Sequence, residues 1–171
     1  MTASPERAPA ESADVVRWEQ TTPDDPRVLA LRSAMDVEMA ALYAGVLDAR
    51  LVASMADPPG TRWLSTWLAL SGEQPLATAA LRWLGEGAGR LAEVKKVYVA
   101  PAGRRRGLAQ QALRHVEASA RERGVGELHL HTGDRQPAAL ALYAREGWRR
   151  VPVFAPYDAL PISVCFAKTL G

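Results

Sequence analysis

Apolar residues in the first third of the chain recur at the three- and four-residue spacing that places them on one face of a helix. This face consists of Val28, Leu31, Met35, Met39 and Leu42. Asp25 and Pro26 come just before it and are residue types favoured at the N-cap and the first helical position. We therefore predict a helix from Pro26 to about Gly45, preceded by a short strand over 15–19 and followed by a weaker helix over 47–55.

Three extended segments follow at 62–70, 76–84 and 91–100, each a mainly apolar run of strand length. Their connections, at 71–75 and 85–90, are short and contain glycine. Connections of this kind join neighbouring antiparallel strands, so the three segments are expected to form an antiparallel meander.

A second apolar stripe at helical spacing runs from Leu108 to Ala120, and Gly124 is placed to end that helix. A strand is predicted over 128–132, directly after it. Strand, helix and strand in this order form a βαβ unit, whose two strands are almost always parallel.

The last part of the chain shows a short helix over 138–146 and two strands, over 148–154 and 162–169. The predicted fold class is therefore α/β (α+β), with a mixed sheet built from an antiparallel meander and one parallel βαβ crossover.

Residues 93–109 place a strand, a tight basic loop and a helix start in direct succession. The N–H groups at a helix start lack intrahelical acceptors and carry partial positive charge, so they form a site for a phosphate group. The spacing Arg104-x-x-Gly107-x-Ala109 is shorter than a dinucleotide fingerprint and lacks the Lys-Ser/Thr ending of a nucleoside-triphosphate loop. Without the helix behind them, the three consecutive arginines would indicate a solvated turn or a nonspecific RNA contact.

This loop resembles the Arg/Gln-x-x-Gly-x-Gly/Ala loop with which the Gcn5-related N-acetyltransferases, the GNAT family, grip the pyrophosphate of acetyl-CoA. A second segment, 142–148, reads Leu-Tyr-x-x-x-Gly-Trp and is similar to the family's Leu-Tyr-x-x-x-Gly-Phe helix. Gln136 stands where the family commonly has an asparagine, whose side chain is one methylene shorter. The resemblance covers most of 60–171 and implies a GNAT-like acyl-CoA N-acyltransferase fold with acetyl-CoA as cosubstrate.

The resemblance also implies which residues contact the coenzyme. Backbone N–H groups from Arg105 to Gln110 would hold the pyrophosphate, and Gly107 would permit close approach. Arginine side chains would add positive charge near the phosphates, strand backbone would pair with the pantetheine arm, and the Gln136 amide would reach CoA. The expected coenzyme-binding residues are Val97, Tyr98, Val99, Arg104, Arg105, Arg106, Gly107, Leu108, Ala109, Gln110, Gln136 and Tyr143.

Two adjacent lysines, Lys95 and Lys96, fall inside the strand predicted over 91–100. Neighbouring strand residues point to opposite faces, so a regular strand would direct one ammonium into the core, where an unpaired charge is costly. We therefore expect a bulge or an open side in this strand. GNAT members carry a bulge here, beside a gap between the parallel strands that receives the pantetheine arm. The alternative is a register irregularity with both lysines at an exposed edge.

Glu93 and Tyr143 are the expected catalytic residues. The acceptor amine must lose a proton, and Glu93 stands, eleven positions before Arg104, where the histone-modifying branch of the family has its base glutamate. The alternative is a solvent-facing strand residue. By its place in the family's helix, Tyr143 would donate a proton or a hydrogen bond to the departing CoA thiolate; the alternative is a core tyrosine. The N–H of Val97 would polarise the thioester carbonyl.

Three further features bear on the site. His129 and His131 share one strand face, but no third ligand is visible nearby, so we predict no metal. Tyr157 and Asp158 lie in a loop that borders the acceptor in many GNAT members. Cys165 lies outside the motif segments, so an acyl-cysteine intermediate is not expected.

Composition is that of one folded domain, with 48% hydrophobic and 23% charged residues. A net charge of +2 is too small to indicate binding to nucleic acid or to an anionic membrane.

Residues 1–13 are expected to be a disordered tail without a signal segment, which leaves 14–171 as a single GNAT domain. No stretch is long and apolar enough to span a bilayer. The single cysteine excludes an internal disulfide and fits a cytoplasmic location.

These features predict an acetyl-CoA-dependent N-acetyltransferase that acetylates a primary amine of a small molecule by direct transfer in a ternary complex. Asp36 and Glu38 of the first helix could attract a cationic amine, although both are more often plain surface carboxylates. Two alternatives stay open: a protein or peptide N-terminal acetyltransferase, which needs an open groove beside Tyr157, and a non-catalytic acyl-CoA sensor. An RNA-binding domain would need aromatics interleaved with a basic face, whereas the tryptophans lie mostly in core-like runs. Many family members form homodimers through their C-terminal strands, so a homodimer is also compatible with the sequence.

Overall fold

The computed structural model describes residues 15–48 and 56–171. Within them, seven strands form one sheet in the order β1-β2-β3-β4-β5-β7-β6. The strands are β1 (Val16–Thr21), β2 (Trp63–Ser71), β3 (Gln74–Leu84), β4 (Leu91–Val99), β5 (Glu127–Gly133), β6 (Arg149–Val151) and β7 (Ser163–Thr169). Only the β4–β5 pair is parallel, and the other neighbours run antiparallel. The predicted fold class, a meander with one parallel crossover, is confirmed.

In the described part of the chain, three α-helices accompany the sheet: α1 (Pro26–Leu42), α2 (Leu108–Arg121) and α3 (Pro137–Arg145). The Asp25 side chain caps α1 by accepting the Arg27 N–H at 2.8 Å, as its residue type predicts. Gly107 is the N-cap of α2. The weaker helix predicted over 47–55 falls mainly on residues that lie outside the described part of the chain.

The strand predicted over 148–154 is shorter than expected. β6 covers only three residues, and it forms the edge of the sheet beside β7. Pro152 follows it directly, and proline has no N–H to continue a ladder. The chain then continues as a loop to the buried Tyr157.

Each face of the sheet carries its own hydrophobic layer. On one face, α2 and α3 pack on β4, β5 and β7 through residues such as Leu113, Tyr143 and Phe166. On the other face, α1 packs on β2 through Val28 and Leu31. Successive β4 residues alternate between these faces, so β4 can contribute both to the core and to a polar site. No helix in the described ranges has the length and apolar character that crossing a membrane requires.

Candidate active site

β4 contains the bulge that its two adjacent lysines predict. The β3–β4 register shifts between Thr78 and Ala80, and Lys96 has a backbone φ of 56°. The extra residue turns both lysine side chains the same way, because the Nζ atoms of Lys95 and Lys96 each lie 4.0 Å from the Asp57 carboxylate. The bulge therefore collects charge on one side of the strand instead of directing an ammonium into the apolar layer under α2.

Next to the bulge, the sheet opens between its two parallel strands. Pairing of β4 with β5 covers only Ala92–Val94 and Leu128–Leu130. Beyond this point β5 pairs with β7 alone, up to Gly133. The β5-facing backbone edge of 97–99 therefore adjoins a gap, the place where the sequence predicts the pantetheine arm. One carbonyl of this segment, that of Val99, accepts a hydrogen bond from Arg104 Nε at 3.2 Å.

The loop after β4 leads into α2 through a tightly packed turn. A Cβ on Gly103 would lie 3.0 to 3.1 Å from atoms of Leu76, Val99 and Leu108, so the turn has no room for a side chain. Gly107 has a φ of 73°, which favours glycine. The Gln111 N–H donates to the Gly107 carbonyl at 3.1 Å, so the N–H groups before it point out of the helix end.

Side chains at the start of α2 are anchored away from that end. Leu108 is buried against Leu76 and Ala77, so only its backbone can contact a ligand. The Gln110 side chain donates to Glu146 Oε1 at 2.6 Å and so links α2 to the end of α3. Backbone N–H groups are thus what this helix start can offer to a phosphate, in keeping with the predicted role of 105–110.

The three arginines of the loop differ in their surroundings. Arg104 donates twice to the Glu38 carboxylate of α1, at 2.7 and 2.8 Å, which directs its guanidinium toward α1. The Tyr98 hydroxyl donates to the same carboxylate at 2.7 Å, and these two donors lower the pKa of Glu38. Arg105 and Arg106 are exposed. Glu38 is therefore a tether between α1 and the loop, whereas the sequence suggested only a surface carboxylate or an attractor for an amine.

Tyr143 and Gln136 lie on opposite ends of α3. Tyr143 is 6% exposed and packs among Trp148 and Phe166, and burial raises its pKa to about 12. Gln136 is the N-cap residue of α3, and its side chain makes no capping hydrogen bond. Its amide lies beside Gly133, where β5 ends, so it stays at the mouth of the gap between the parallel strands.

Glu93, the predicted base, is fully buried, so the alternative of a solvent-facing residue is wrong. Its Oε2 accepts from Arg82 Nε at 2.8 Å, and its Oε1 accepts from the Tyr157 hydroxyl at 2.5 Å. Arg82 is also buried and reaches Asp57 Oδ1 with Nη1 at 2.8 Å. The carboxylate thus has a cation and a hydroxyl on its two oxygens and no surface that an acceptor could touch directly.

The Tyr157 hydroxyl connects this pair to the lysine at the bulge. It accepts from Lys95 Nζ at 3.0 Å and from Arg82 Nη2 at 3.2 Å while donating to Glu93. Lys95, Tyr157 and Glu93 therefore form a chain of hydrogen bonds that all point one way. Exposure falls along it, from 11% for the Lys95 side chain to 0% for Glu93. Burial lowers the pKa of Lys95 and raises that of Tyr157.

The Tyr157 ring is fixed by its neighbours rather than open to a groove. It stacks on His131 with ring centres 3.9 Å apart and an interplanar angle of 4°. Ser163 Oγ donates to the Tyr157 carbonyl at 2.8 Å and lies 3.0 Å from His131 Nε2. Burial and the nearby Lys95 charge lower the pKa of His131 to about 4, so this ring stays neutral at pH 7.

Two of the site residues were not predicted. Arg82 and Asp57 complete the cluster around Glu93 and the bulge, whereas Asp158 makes none of the contacts in this cluster.

Cys165 is a free, buried thiol, and burial raises its pKa. Across 15–48 and 56–171, no three side chains among His, Cys, Asp and Glu converge in a metal-binding arrangement.

Comparison with known proteins shows that the sequence is similar to that of N-acetyltransferases. The family model described as acetyltransferase (GNAT) family matches residues 17–148. An N-acetyltransferase named YedL from Escherichia coli, not functionally characterised, is 34% identical over 121 residues, which are 70% of this chain and 72% of YedL. An IAA acetyltransferase from Azospirillum brasilense is 34% identical over 82 residues, 48% of this chain. Those 82 residues are 54% of that relative, so the chain matches about half of its length.

Solved structures share the fold. A Klebsiella pneumoniae protein described as an acyl-CoA N-acyltransferase superimposes with a TM-score of 0.72 at 29% identity, covering 94% of this chain and all of that one. A GNAT family acetyltransferase from Elizabethkingia anophelis, solved with acetyl-CoA bound, gives a TM-score of 0.61 at 17% identity, covering 92% and 99% of the two chains.

Proposed function

The chain belongs to the acetyltransferase (GNAT) family of N-acetyltransferases, and we propose that it transfers the acetyl group of acetyl-CoA to a primary amine of a small molecule. Transfer would be direct, within a ternary complex of enzyme, acetyl-CoA and amine. The observation that carries this proposal is the position of the β4 bulge. It lies beside the gap next to β5 and carries Lys95, which contacts the Glu93 cluster through Tyr157, while the end of β4 packs against the start of α2; coenzyme and proton-handling groups would therefore meet there.

The coenzyme would lie along the open edge of β4. Its pyrophosphate would accept hydrogen bonds from the N–H groups that open α2, with Arg105 and Arg106 adding positive charge. Arg104, tied to Glu38, would hold the loop against α1 rather than contact phosphate. The pantetheine arm would pair with the backbone of 97–99, and the Val97 N–H would polarise the thioester carbonyl.

Proton removal from the acceptor needs a route to Glu93. A lysine-like amine has a pKa of about 10.4, so exposing its free base at pH 7 costs about 4–5 kcal/mol. Because Glu93 is buried, we place it at the end of a relay. The amine gives a proton to Lys95 as Lys95 gives one to the Tyr157 oxygen and Tyr157 gives its own to Glu93. Lys95 and Tyr157 each receive one proton for the one they give away. The net result is the transfer of one proton from the amine to Glu93.

Replacing Tyr157 or Glu93, the two most deeply buried members of this relay, should slow acetyl transfer. We expect Glu93→Gln and Tyr157→Phe each to lower kcat about 100-fold, within the usual range for one general acid–base group. Their combination should cost little more, because residues that act as a unit are not additive. Steady-state kinetics of the two single variants and the double variant measure this. Multiplied losses in the double variant would contradict a common relay.

Tyr143 is proposed to hydrogen-bond the departing thiolate. With a pKa of about 12 it keeps its proton throughout the working range. A cysteine-like thiol has a pKa near 8.5, so Tyr143 would stabilise the thiolate as a donor without fully transferring its proton.

Removing this hydroxyl should affect the chemical step alone. We expect Tyr143→Phe to lower kcat about 100-fold while the Kd for acetyl-CoA changes little. Because the pKa lies near 12, ionisation of Tyr143 should cause no fall in wild-type kcat between pH 8 and 10. Release of CoA thiol, followed across this pH range for both proteins, checks both points. A kcat of Tyr143→Phe equal to that of wild type would contradict this role, and a wild-type loss of activity near pH 9 that Tyr143→Phe abolishes would contradict a Tyr143 pKa near 12.

The buried position of Tyr157 favours a small acceptor. A peptide N-terminal acetyltransferase needs an open groove beside this residue, but the ring is 1% exposed and stacked on His131. A non-catalytic sensor would have no need of a directed hydrogen-bond chain that ends on a buried carboxylate. Cytoplasmic location and a homodimer remain expectations from the sequence.

Direct transfer can be tested without knowledge of the acceptor. The one cysteine is buried and its pKa is raised by burial, which makes a thiolate nucleophile unfavourable. Incubation with radiolabelled acetyl-CoA in the absence of amine should therefore leave the protein unlabelled after rapid acid quench. Stoichiometric label that a later addition of amine removes would indicate an acyl-enzyme instead.

A further inference from the structure

The charged residues around the bulge do not balance. We name Asp57, Arg82, Glu93, Lys95 and Lys96 the β4 charge cluster, since each contacts another member within 4.0 Å. Three cations and two carboxylates, counted as ionised, leave a net charge of +1 (3 − 2) in a largely buried setting. Buried charge is costly unless it is paired.

The excess positive charge lies on the two lysines, Lys95 and Lys96. Arg82 is satisfied by Glu93, Asp57 and Tyr157 through three different nitrogens. By contrast, the only carboxylate that the described residues place within 4.0 Å of either lysine is that of Asp57, at the 4.0 Å limit for both. An ammonium has three donors, and the close contact that Lys95 makes is with the neutral Tyr157 hydroxyl.

The same two lysines, together with Asp57, form the accessible side of the cluster. The side chains of Lys95, Lys96 and Asp57 are 11%, 19% and 19% exposed, whereas those of Arg82 and Glu93 are 4% and 0% exposed. A ligand approaching the bulge would therefore meet two ammonium groups and the one carboxylate of Asp57, a net positive surface, before the saturated Arg82–Glu93 pair behind them.

We propose that the acetyl acceptor is an aminocarboxylate and that Lys96, with Lys95 beside it, binds its carboxylate next to the reacting amine. This rests on the proposed function and deepens it by naming the substrate class. An anionic group would bring the β4 charge cluster to neutrality. It would also offset the charge that rises from +1 to +2 when the relay delivers a proton to Glu93, so binding and proton removal would support each other.

The test compares acceptors that differ only in this charge. Glycine, β-alanine and 4-aminobutanoate are each paired with the corresponding amide, and the ratio of kcat/KM for acid over amide is measured in wild type and variants. We expect wild type to favour the acid at one chain length, and Lys96→Gln to lower that ratio about tenfold or more, as for a hydrogen bond to a charged group. Lys96→Arg should retain the preference, and Asp57→Asn, which removes a competing carboxylate, should raise it.

Arg114→Gln is the matched control, since Arg114 is an exposed cation on α2, on the other face of the sheet. It should leave the ratio unchanged. If the protein acetylates amines but Lys96→Gln does not alter the ratio, the carboxylate site is overturned while N-acetyl transfer stands. If Lys96→Gln and Arg114→Gln lower the acid-over-amide ratio equally, the effect is one of general charge, and the carboxylate site is also overturned. If acetyl-CoA binds but neither acids nor amides are acetylated at any length, the proposed small-amine function fails as well.

Discussion

Ala109→Glu should weaken the binding of acetyl-CoA by about 30- to 100-fold, a loss of about 2–3 kcal/mol at 1.4 kcal/mol per factor of ten. This loss is smaller than the roughly 4 kcal/mol between two unit charges 4 Å apart near a protein surface, because the flexible glutamate side chain can turn away from the phosphates. Ala109 lies in the first turn of α2, where the N–H groups point toward the proposed pyrophosphate site. A carboxylate there would compete for these donors and repel the phosphates.

The same substitution should have the opposite effect on folding. A negative charge near a helix N-terminus stabilises the helix by about 0.3–1 kcal/mol. Ala109→Glu is therefore expected to hold or raise the free energy of unfolding while it lowers coenzyme affinity. Ala109→Gln, which has the same size without the charge, is the control and should bind acetyl-CoA within a few-fold of wild type. Calorimetric titration and chemical denaturation measure the two quantities, and unchanged affinity in Ala109→Glu would exclude this helix end as the pyrophosphate site.

Arg82→Met should give the largest loss of stability among the substitutions considered. It leaves the Glu93 carboxylate buried without its cation, and breaking a buried pair in this way costs about 3–5 kcal/mol. Methionine keeps much of the volume of the arginine stem, so the loss reports on charge more than on a cavity. Urea denaturation measures the free energy of unfolding.

The matched variant for this prediction removes both charges. Arg82→Met with Glu93→Gln should recover a large part of the loss, because the stranded carboxylate is gone. Stability in the double variant as low as the sum of the two single losses would show that Arg82 acts through packing or through Asp57 rather than through Glu93.

The elements that carry the fold follow closely from sequence patterns. Apolar spacing and the Asp25–Pro26 start signal located α1, and the stripe from Leu108 located α2. The bulge was also predictable, because two adjacent lysines cannot both avoid the core in a regular strand. These features depend on the local spacing of apolar residues and on the cost of burying charge, and both can be inferred from a single amino-acid sequence.

Only some of the contacts around the β4 charge cluster could have been predicted from the sequence. Arg82 could have been found, since the hairpin that pairs Leu84 with Leu91 also places Arg82 opposite Glu93, a favourable cross-strand pair. Asp57 could not, because it lies outside the regular strands and reaches the site through tertiary packing. The resemblance placed Tyr157 near the acceptor, but its hydrogen bond to Glu93 depends on tertiary packing and could not be predicted. The Arg104–Glu38 tether likewise joins residues 66 positions apart, which no local pattern encodes.

Detection of the acetylated amine is the most direct test of N-acetyl transfer at the β4 bulge. The purified chain is mixed with acetyl-CoA and a panel of small primary amines that includes aminocarboxylates, and the products are identified by mass spectrometry while free CoA thiol is quantified. We expect an N-acetyl product and CoA in equal amounts, with Tyr143→Phe about 100-fold slower. Tight binding of acetyl-CoA by the chain, with no acetylated product from any amine and no thiol release, would contradict an N-acetyltransferase of small amines and point to a coenzyme sensor.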